Sequence, residues 1–168
     1  MSRAFDGLAE SPASVGQIHA AFGRKDYWLD RLKTNPAATS LDSLSVDPDG
    51  TLTVQFTQYL GRQLLPGPVA NVIPGDVKLV NVEQWTPDGD NGLRGRVDVS
   101  VSGGLGTCRA RAWLEPAAAN GSRLRVTGSV QVKIPLVGSR LEKAVGANLA
   151  QNIPTVMCFT TAWLDEHA

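Results

Sequence analysis

The amino-acid sequence predicts an α+β fold, in which a strongly curved antiparallel sheet wraps around one long C-terminal helix, with two short helices after the first strand. Three observations predict this fold: two short helical segments near the N-terminus, a middle region of alternating apolar and polar residues, and a long amphipathic tail. A sheet with one apolar face needs a cover, and the apolar side of the tail helix supplies it. The chain of 168 residues is long enough for one sizeable core, so residues 1–168 are predicted to form a single domain.

The N-terminal region is predicted to begin with a strand over Arg3 to Leu8, followed by two short helices. Ser14 and Gln17 stand three residues apart at the start of an apolar-periodic segment, which is the spacing of a helix-starting capping box. The segment KDYWLDRL, Lys25 to Leu32, is predicted to form the second helix.

The middle of the chain is predicted to form about six antiparallel strands. The turn signals PDG, PDGDNG, GGLG and AANG separate segments in which apolar residues recur with period two. The inward faces of four strands are predicted to hold Leu52, Val54 and Phe56, then Leu93, Val97, Val99 and Val101, then Cys108, Ala110, Ala112 and Leu114, and finally Leu124, Val126, Val130, Val132 and Ile134. The stretch LLPGPVANVIPG breaks this period and is predicted to be an apolar loop or a broken short helix.

The tail is predicted to be one long helix. Ser139 and Glu142 have the spacing of a second capping box. Its predicted apolar face consists of Leu141, Val145, Leu149, Ile153, Val156, Phe159 and Trp163. Pro154 lies near the polar side and removes one backbone hydrogen bond, so it is predicted to kink the helix without ending it.

Four stretches resemble a known superfamily: SPASVGQIHAAFGRKDYWLDRL, PGPVANVIPGDV, IPLVGSRLE and FTTAWLDEH. With the element order, they resemble an actinobacterial family of unknown function within the START superfamily, also called SRPBCC, which includes birch-pollen-allergen-like proteins. The resemblance covers nearly the whole chain. It implies the helix-grip fold and an apolar cavity, and it supplies no catalytic residues.

The inward face of the predicted sheet holds unusually small residues, which favour a cavity between the sheet and the long helix. Gly95, Ala110, Ala112 and Gly128 lie on this face, and the turn AANG can set Ala110 opposite Gly128. The alternative is that aromatic residues of the tail helix fill this space as packed core. The ligand-lining residues predicted from the sheet are Val54, Phe56, Val97, Ala110, Ala112, Val126 and Gly128, and those from the helix are Leu149, Asn152, Ile153 and Val156.

Two further features bear on the predicted cavity. Asn152 is predicted to lie within the apolar face of the helix, where its amide has either a structural partner or the polar end of a ligand. The stretch Leu64 to Gly75 is predicted to cover the cavity mouth, either as a mobile lid or as a fixed cap. The apolar residues that this stretch adds to the predicted lining are Leu65, Val69, Val72 and Ile73.

The outward face of the predicted sheet carries a group of arginines on three successive strands. They are Arg94, Arg96, Arg109, Arg111, Arg123 and Arg125. A solvated sheet face explains this pattern, because an exposed face needs polar groups. The alternative is peripheral contact with an anionic membrane or an acidic partner.

Composition and motifs exclude several classes of function. Sixteen basic residues balance sixteen acidic ones, so no nucleic-acid partner is expected. No apolar run is long enough to span a bilayer, and the N-terminus lacks a secretory h-region, so a cytoplasmic location is expected. Cys108 and Cys158 match no metal or redox spacing and are predicted to be buried free thiols. No catalytic, cofactor or metal motif is found, and His19 is predicted to be a surface or boundary residue.

Three functions compete on these observations. The first is a binding or carrier protein for an apolar small molecule, such as a lipid, a sterol or a polyketide-like compound. The second is an enzyme of the aromatase/cyclase type, which the superfamily includes. That function needs an acid or base inside the cavity, and the predicted inward faces hold none. The third is an interaction module without a ligand, which uses the arginine face.

Overall fold

The predicted order of elements is confirmed. The computed structural model describes residues 2–35, 37–61, 63, 67–71, 76–89 and 91–168, apart from the side chains of residues 68 and 69. The strands are β1 (Arg3–Ser11), β2 (Ala38–Val46), β3 (Leu52–Leu60), β4 (Val77–Asp88), β5 (Gly92–Val101), β6 (Gly106–Pro116) and β7 (Ser122–Val132). The helices are α1 (Val15–Phe22), α2 (Lys25–Lys33), α3 (Gly67–Ala70) and α4 (Gly138–Glu166).

The seven strands in the described part of the chain form one antiparallel sheet in the order β1-β7-β6-β5-β4-β3-β2. Helix α4 packs mainly on β1 and β7, at one side of this sheet. Gly7 of β1 permits this approach, because a Cβ atom at that position would collide with Cδ1 of Ile153 on α4. The remaining strands therefore present their inward faces beside α4 rather than directly beneath its backbone.

The core is concentrated at one end of the sheet, where α1, α2 and the C-terminal half of α4 meet it. An aromatic cluster lies there, with neighbouring ring centroids 5.1 to 5.8 Å apart. It consists of Phe22, Tyr27, Trp28, Trp85 and Trp163. Such tilted and edge-on contacts are the favoured arrangements of aromatic rings. The Trp28 indole N–H donates to the backbone carbonyl of Phe22 at 2.7 Å, so this fully buried side chain has no unmet donor.

Helix α4 is rotated relative to the predicted apolar face in its N-terminal half. Its buried residues are Glu142, Gly146, Ile153, Met157, Thr160 and Trp163. Val145 is 39% exposed, and Asn152 is exposed, so the prediction that Asn152 lies within the buried face is wrong. One helix continues through Pro154, whose ring lies on the exposed side, where it displaces no core side chain.

The two predicted capping boxes have different outcomes. At α1, the Gln17 backbone N–H donates to Ser14 Oγ at 3.1 Å, and the Ser14 N–H donates to Gln17 Oε1 at 2.8 Å, so this box is confirmed. At α4 the predicted box is wrong, because Val137 is the N-cap and no side chain caps it. The Glu142 carboxylate accepts a hydrogen bond from the Val132 backbone N–H at 2.9 Å instead.

This difference predicts unequal effects of two serine substitutions. Ser14→Ala is expected to lower the free energy of unfolding by about 1 kcal/mol, because it leaves the Gln17 N–H without its acceptor. Ser139→Ala, the matched control, is expected to change it by less than about 0.5 kcal/mol. Urea unfolding of both variants measures the difference, and equal losses would contradict the assignment of the caps.

Candidate functional site

Two buried polar side chains lie on the inward face of the sheet, at the centre of β4. Asn81 is 8% exposed and Glu83 is 5% exposed. Glu83 is the register partner of Val54 on β3 and of Val97 on β5, both of which were predicted to face inward. Residues in register share a face, so this carboxylate enters the interior of the fold.

The carboxylate of Glu83 is paired with a cation from α2. Arg31 Nη2 lies 3.4 Å from Glu83 Oε2, and the Trp85 indole N–H donates to Glu83 Oε1 at 3.3 Å. The Arg31 guanidinium also lies over the Trp28 ring, 4.8 Å from its centroid. Burial lowers the pKa of Arg31, but the neighbouring Glu83 and Tyr27 outweigh burial and hold that pKa above its ordinary value. Arg31 therefore stays a cation beside the inward-facing Glu83.

Tyr27 links this pair to the long helix. Its hydroxyl lies 2.7 Å from Thr160 Oγ1 on α4, and the Thr160 hydroxyl donates to the Val156 carbonyl at 2.8 Å. Burial is the main cause that raises the pKa of Tyr27 above its ordinary value, so the phenol stays neutral near neutral pH. These contacts join α2, β4 and α4.

Asn81 lies two residues before Glu83 on the same face of β4, and its amide donates to Gln58 Oε1 at 3.2 Å and to the Leu79 carbonyl at 3.1 Å. The polar cluster is defined as Tyr27, Arg31, Asn81, Glu83 and Thr160.

Apolar side chains beside this cluster are incompletely buried. At the packed end of the sheet, Leu52, Leu93 and Leu114 are 1%, 3% and 1% exposed. Further along the same inward face and along α4, several side chains are only half-buried: Val97, Val99, Val126, Leu149 and Val156. The register places Val97 beside Glu83 and Val99 beside Asn81.

This contrast divides the inward face into a tightly packed end and a less completely covered part. A tightly packed sheet interior leaves inward apolar residues almost fully buried, as at the end that holds Leu93. The half-buried valines of β5 lie in the middle strand of the sheet, with strands on both sides, so their exposure comes from room on the inward face. The less completely covered part carries Val97 and Val99 of β5, which lie beside the buried Glu83 and Asn81 of β4.

Two glycines predicted to leave room do not do so. A Cβ atom on Gly128 would lie 2.6 Å from Cζ of Phe5 and 2.7 Å from the Arg109 carbonyl oxygen. A Cβ atom on Gly95 would lie 2.6 Å from Cζ3 of Trp85. Each glycine is the register partner of that aromatic residue, so it accommodates a ring from the next strand. The interpretation of Gly95 and Gly128 as empty space is wrong.

The remaining predicted lining residues fall into four groups. Five residues are buried, namely Val54, Phe56, Ala110, Ala112 and Ile153. Five are half-buried, namely Val97, Val126, Gly128, Leu149 and Val156. Asn152 is exposed. Leu65, Val72 and Ile73 lie outside the described residues, as does the side chain of Val69. The short helix α3 within the stretch 64–75 agrees with the broken helix that was one of its two predicted forms.

The polar cluster was not predicted from the sequence because, on β4, polar residues face inward and apolar residues take the alternate positions. Asn81 and Glu83 face inward, while Val80 and Val82 occupy the alternate positions of the same strand. The alternation of side chains between the two faces of a strand could have identified Asn81 and Glu83 as inward-facing. Counting back by two from the buried Trp85 gives Glu83 and then Asn81.

The six arginines of the outward face are all exposed, as predicted. Five of them form ion pairs: Arg94 with Asp88, Arg96 and Arg109 with Asp98, Arg123 with Glu10, and Arg125 with Glu115. Local carboxylates therefore offset most of their charge. Contact of this face with an anionic membrane stays a prediction.

The two thiols and His19 lie apart from the polar cluster. Cys158 is exposed and Cys108 is half-buried, so the prediction that both thiols are buried is wrong, whereas both are free as predicted. Burial, with a smaller effect of Asp98, raises the pKa of Cys108 to about 11, so its thiol is protonated near neutral pH. His19 is half-buried with Nε2 2.8 Å from the Gly50 carbonyl oxygen, which matches the predicted boundary position.

Two open hollows mark the surface elsewhere. One of about 570 Å³ lies between the start of α1 and the β6–β7 turn, and one of about 280 Å³ lies at the β7–α4 connection. Neither is lined by the polar cluster or by Val97, Val99, Val126 or Val156. Among the helices in the described part of the chain, none combines the length and apolarity that crossing a bilayer requires.

Comparison with known proteins places the chain in a family. Residues 7–164 match the family described as "Protein of unknown function (DUF2505)". An uncharacterized protein of Mycobacterium tuberculosis is 32% identical over an aligned length of 174 residues, and the alignment covers 98% of each chain. The chain belongs to this family, and the predicted membership of an actinobacterial family of unknown function is confirmed.

Solved structures show the same fold. A protein of Thermus thermophilus has a TM-score of 0.58 at 16% identity and covers 99% of both chains. A START superfamily protein of Mycobacterium smegmatis has a TM-score of 0.55 at 14% identity, and the match covers 98% of this chain and 99% of that one. The predicted helix-grip fold is therefore confirmed, and at these identities the likeness concerns the fold alone.

Proposed function

We propose that this member of the DUF2505 family binds or carries an apolar small molecule, such as a lipid, a sterol or a polyketide-like compound. The ligand occupies the space between the sheet and α4. One observation carries the proposal: Val97, Val99 and Val126 face inward yet stay half-buried, while Leu93 at the packed end is 3% exposed. An apolar ligand would remove that remaining surface from water, which is favourable.

The polar cluster supports a ligand with one polar end. Arg31 supplies N–H donors, and Glu83 and Asn81 supply oxygen acceptors beside Val97 and Val99. Because Arg31 and Glu83 together carry no net charge, a neutral group that both donates and accepts, such as a hydroxyl, fits better than a free carboxylate. In this proposal the cluster takes the anchoring role that Asn152 had in the sequence interpretation.

A pair of phenylalanine substitutions tests the proposed space between the sheet and α4. Val97→Phe is expected to reduce the affinity for N-phenyl-1-naphthylamine, an apolar fluorescent probe, at least tenfold, because the added ring fills the space beside Glu83. Its stability is expected to fall by less than about 1 kcal/mol, since room is available there. Leu93→Phe, the matched control at the packed end, is expected to cost about 1–3 kcal/mol through overpacking.

The order of these two stability losses is the informative result. Valine to phenylalanine adds more volume than leucine to phenylalanine, so volume alone predicts the opposite order. Probe fluorescence and urea unfolding measured on the same samples give both quantities. A greater stability loss for Val97→Phe, with probe binding unchanged, would show that β5 faces packed core and would contradict the proposal.

The inward carboxylate also favours a second candidate function, an enzyme of the aromatase/cyclase type. The objection to it was the lack of an acid or base on the inward faces, and Glu83 removes that objection. Pairing with Arg31 and Trp85 nevertheless engages both carboxylate oxygens. Mass spectrometry of a ligand before and after incubation separates the candidates, because a carrier returns the compound unchanged.

A further inference from the structure

The connection between β7 and α4 presents a leucine to solvent. Leu136 is 106% exposed, which is the largest value among the exposed large apolar residues in the described part of the chain. Its backbone has a φ of +71°, in the left-handed region that leucine rarely adopts. Ile134, two residues earlier, is 9% exposed and anchors the connection to the protein. The exposed part of the connection around Leu136 is called the tip below.

Three cations flank this tip, and they differ from five of the six sheet-face arginines, which form ion pairs. Lys133, Arg140 and Lys143 are exposed, and none of them forms an ion pair among the described residues. The carboxylate of the same segment, Glu142, is 4% exposed and accepts the Val132 N–H, so it is turned into the protein. The tip therefore combines one apolar side chain with three uncompensated positive charges.

The antiparallel topology places this tip at one particular end of the sheet. The C-terminal ends of β3, β5 and β7 and the N-terminal ends of β4 and β6 all meet there. The Lys133 N–H donates to the Leu105 carbonyl at 2.7 Å, which ties the tip to the β5–β6 turn. The aromatic cluster lies toward the opposite end, so the tip is at the end nearer to the half-buried Val99.

We propose that this tip docks on an anionic lipid bilayer, with Leu136 inserted among the acyl chains and Lys133, Arg140 and Lys143 close to the lipid phosphates. An apolar side chain surrounded by basic ones is the combination that binds the interface of an anionic membrane. Each such cation strengthens binding about fivefold, and insertion of a leucine strengthens it about tenfold or more. The docking surface is independent of the proposed ligand, since neither requires the other to bind.

Vesicle co-sedimentation of the ligand-free protein tests this surface. The vesicles contain phosphatidylcholine alone or phosphatidylcholine mixed with phosphatidylserine, each at low and high salt. Wild type is expected to bind the mixed vesicles at low salt and to be released at high salt. The triple variant Lys133→Gln, Arg140→Gln, Lys143→Gln is expected to bind on the order of a hundredfold more weakly, from about fivefold for each charge.

Two matched variants separate the tip from other causes. The triple variant Arg94→Gln, Arg96→Gln, Arg111→Gln removes the same formal charge from the sheet face and is expected to bind within about threefold of wild type. Leu136→Asn is expected to bind about tenfold more weakly while its unfolding in urea is unchanged or improved, because asparagine tolerates the left-handed region.

Three results would overturn the proposal. The first is the absence of wild-type binding to mixed vesicles at low salt. The second is an equal loss in the two triple variants, which would indicate a non-specific charge effect or docking through the sheet face. The third is unchanged binding of Leu136→Asn, which would exclude insertion of the leucine.

Discussion

Replacement of Trp28 by alanine is expected to lower the free energy of unfolding by about 3–5 kcal/mol. Trp28 is fully buried, packs against the rings of Phe22, Tyr27 and Phe56, and donates a hydrogen bond to the Phe22 carbonyl. The substitution removes these contacts and leaves a cavity where α1, α2 and the sheet meet. Urea unfolding followed by far-UV circular dichroism measures the loss.

Trp113 provides the matched control. It is half-buried on the outward face of β6, where the Arg125 guanidinium lies 5.3 Å from its ring centroid. Trp113→Ala is expected to cost no more than about 1 kcal/mol, because the side chain leaves no enclosed cavity. Similar losses for the two variants would contradict the assignment of the core to the α1–α2 end of the sheet.

The second large effect concerns the ion pair between Arg31 and Glu83. Arg31→Met is expected to lower the free energy of unfolding by about 3 kcal/mol, since it leaves the Glu83 carboxylate, which is 5% exposed, without its cation. Removing one partner of a buried ion pair costs about 3–5 kcal/mol. The expected loss lies at the lower end of this range because the Arg31 side chain is 19% exposed. Adding Glu83→Gln is expected to restore most of the loss, because the amide is neutral and its oxygen still accepts from the Trp85 indole.

A double-mutant cycle on Arg31 and Glu83 measures this coupling directly. The double variant is expected to be more stable than Arg31→Met alone. If the second substitution leaves the stability of Arg31→Met unchanged or lowers it, the carboxylate is not an uncompensated buried charge in that variant. The polar wall of the proposed site would then have to be reassigned.

The fold could be predicted from the sequence because its strand signals are local. Period-two alternation, turn motifs and the Ser14 cap each depend on residues within a few positions of one another. The structure places α1, α2 and six further strands where these signals indicated. The same local signals also predicted correctly which residues of β3, β5, β6 and β7 face inward. These residues include Leu52, Leu93, Leu114 and Leu124.

The site could be predicted only in part because it depends on partners that are distant in sequence. The room expected at Gly128 is taken by Phe5, more than a hundred residues earlier, and that contact follows from the register of β1 with β7. The buried side of α4 includes Glu142, Gly146 and Thr160, none of which contributes to an apolar stripe. Their burial depends on the Val132 N–H, on close approach to Phe5, and on the Tyr27 hydroxyl.

A binding site between the sheet and α4 is tested most directly by locating a bound apolar probe by NMR. Intermolecular nuclear Overhauser effects are measured between N-phenyl-1-naphthylamine and the valine and leucine methyl groups of the labelled protein. Contacts are expected to Val97, Val99, Val126 and Leu149, and none to Leu52, Leu93 or Leu114. Contacts confined to exposed residues such as Leu8, Leu136 and Val145 would place the probe on the surface and contradict a binding site between the sheet and α4.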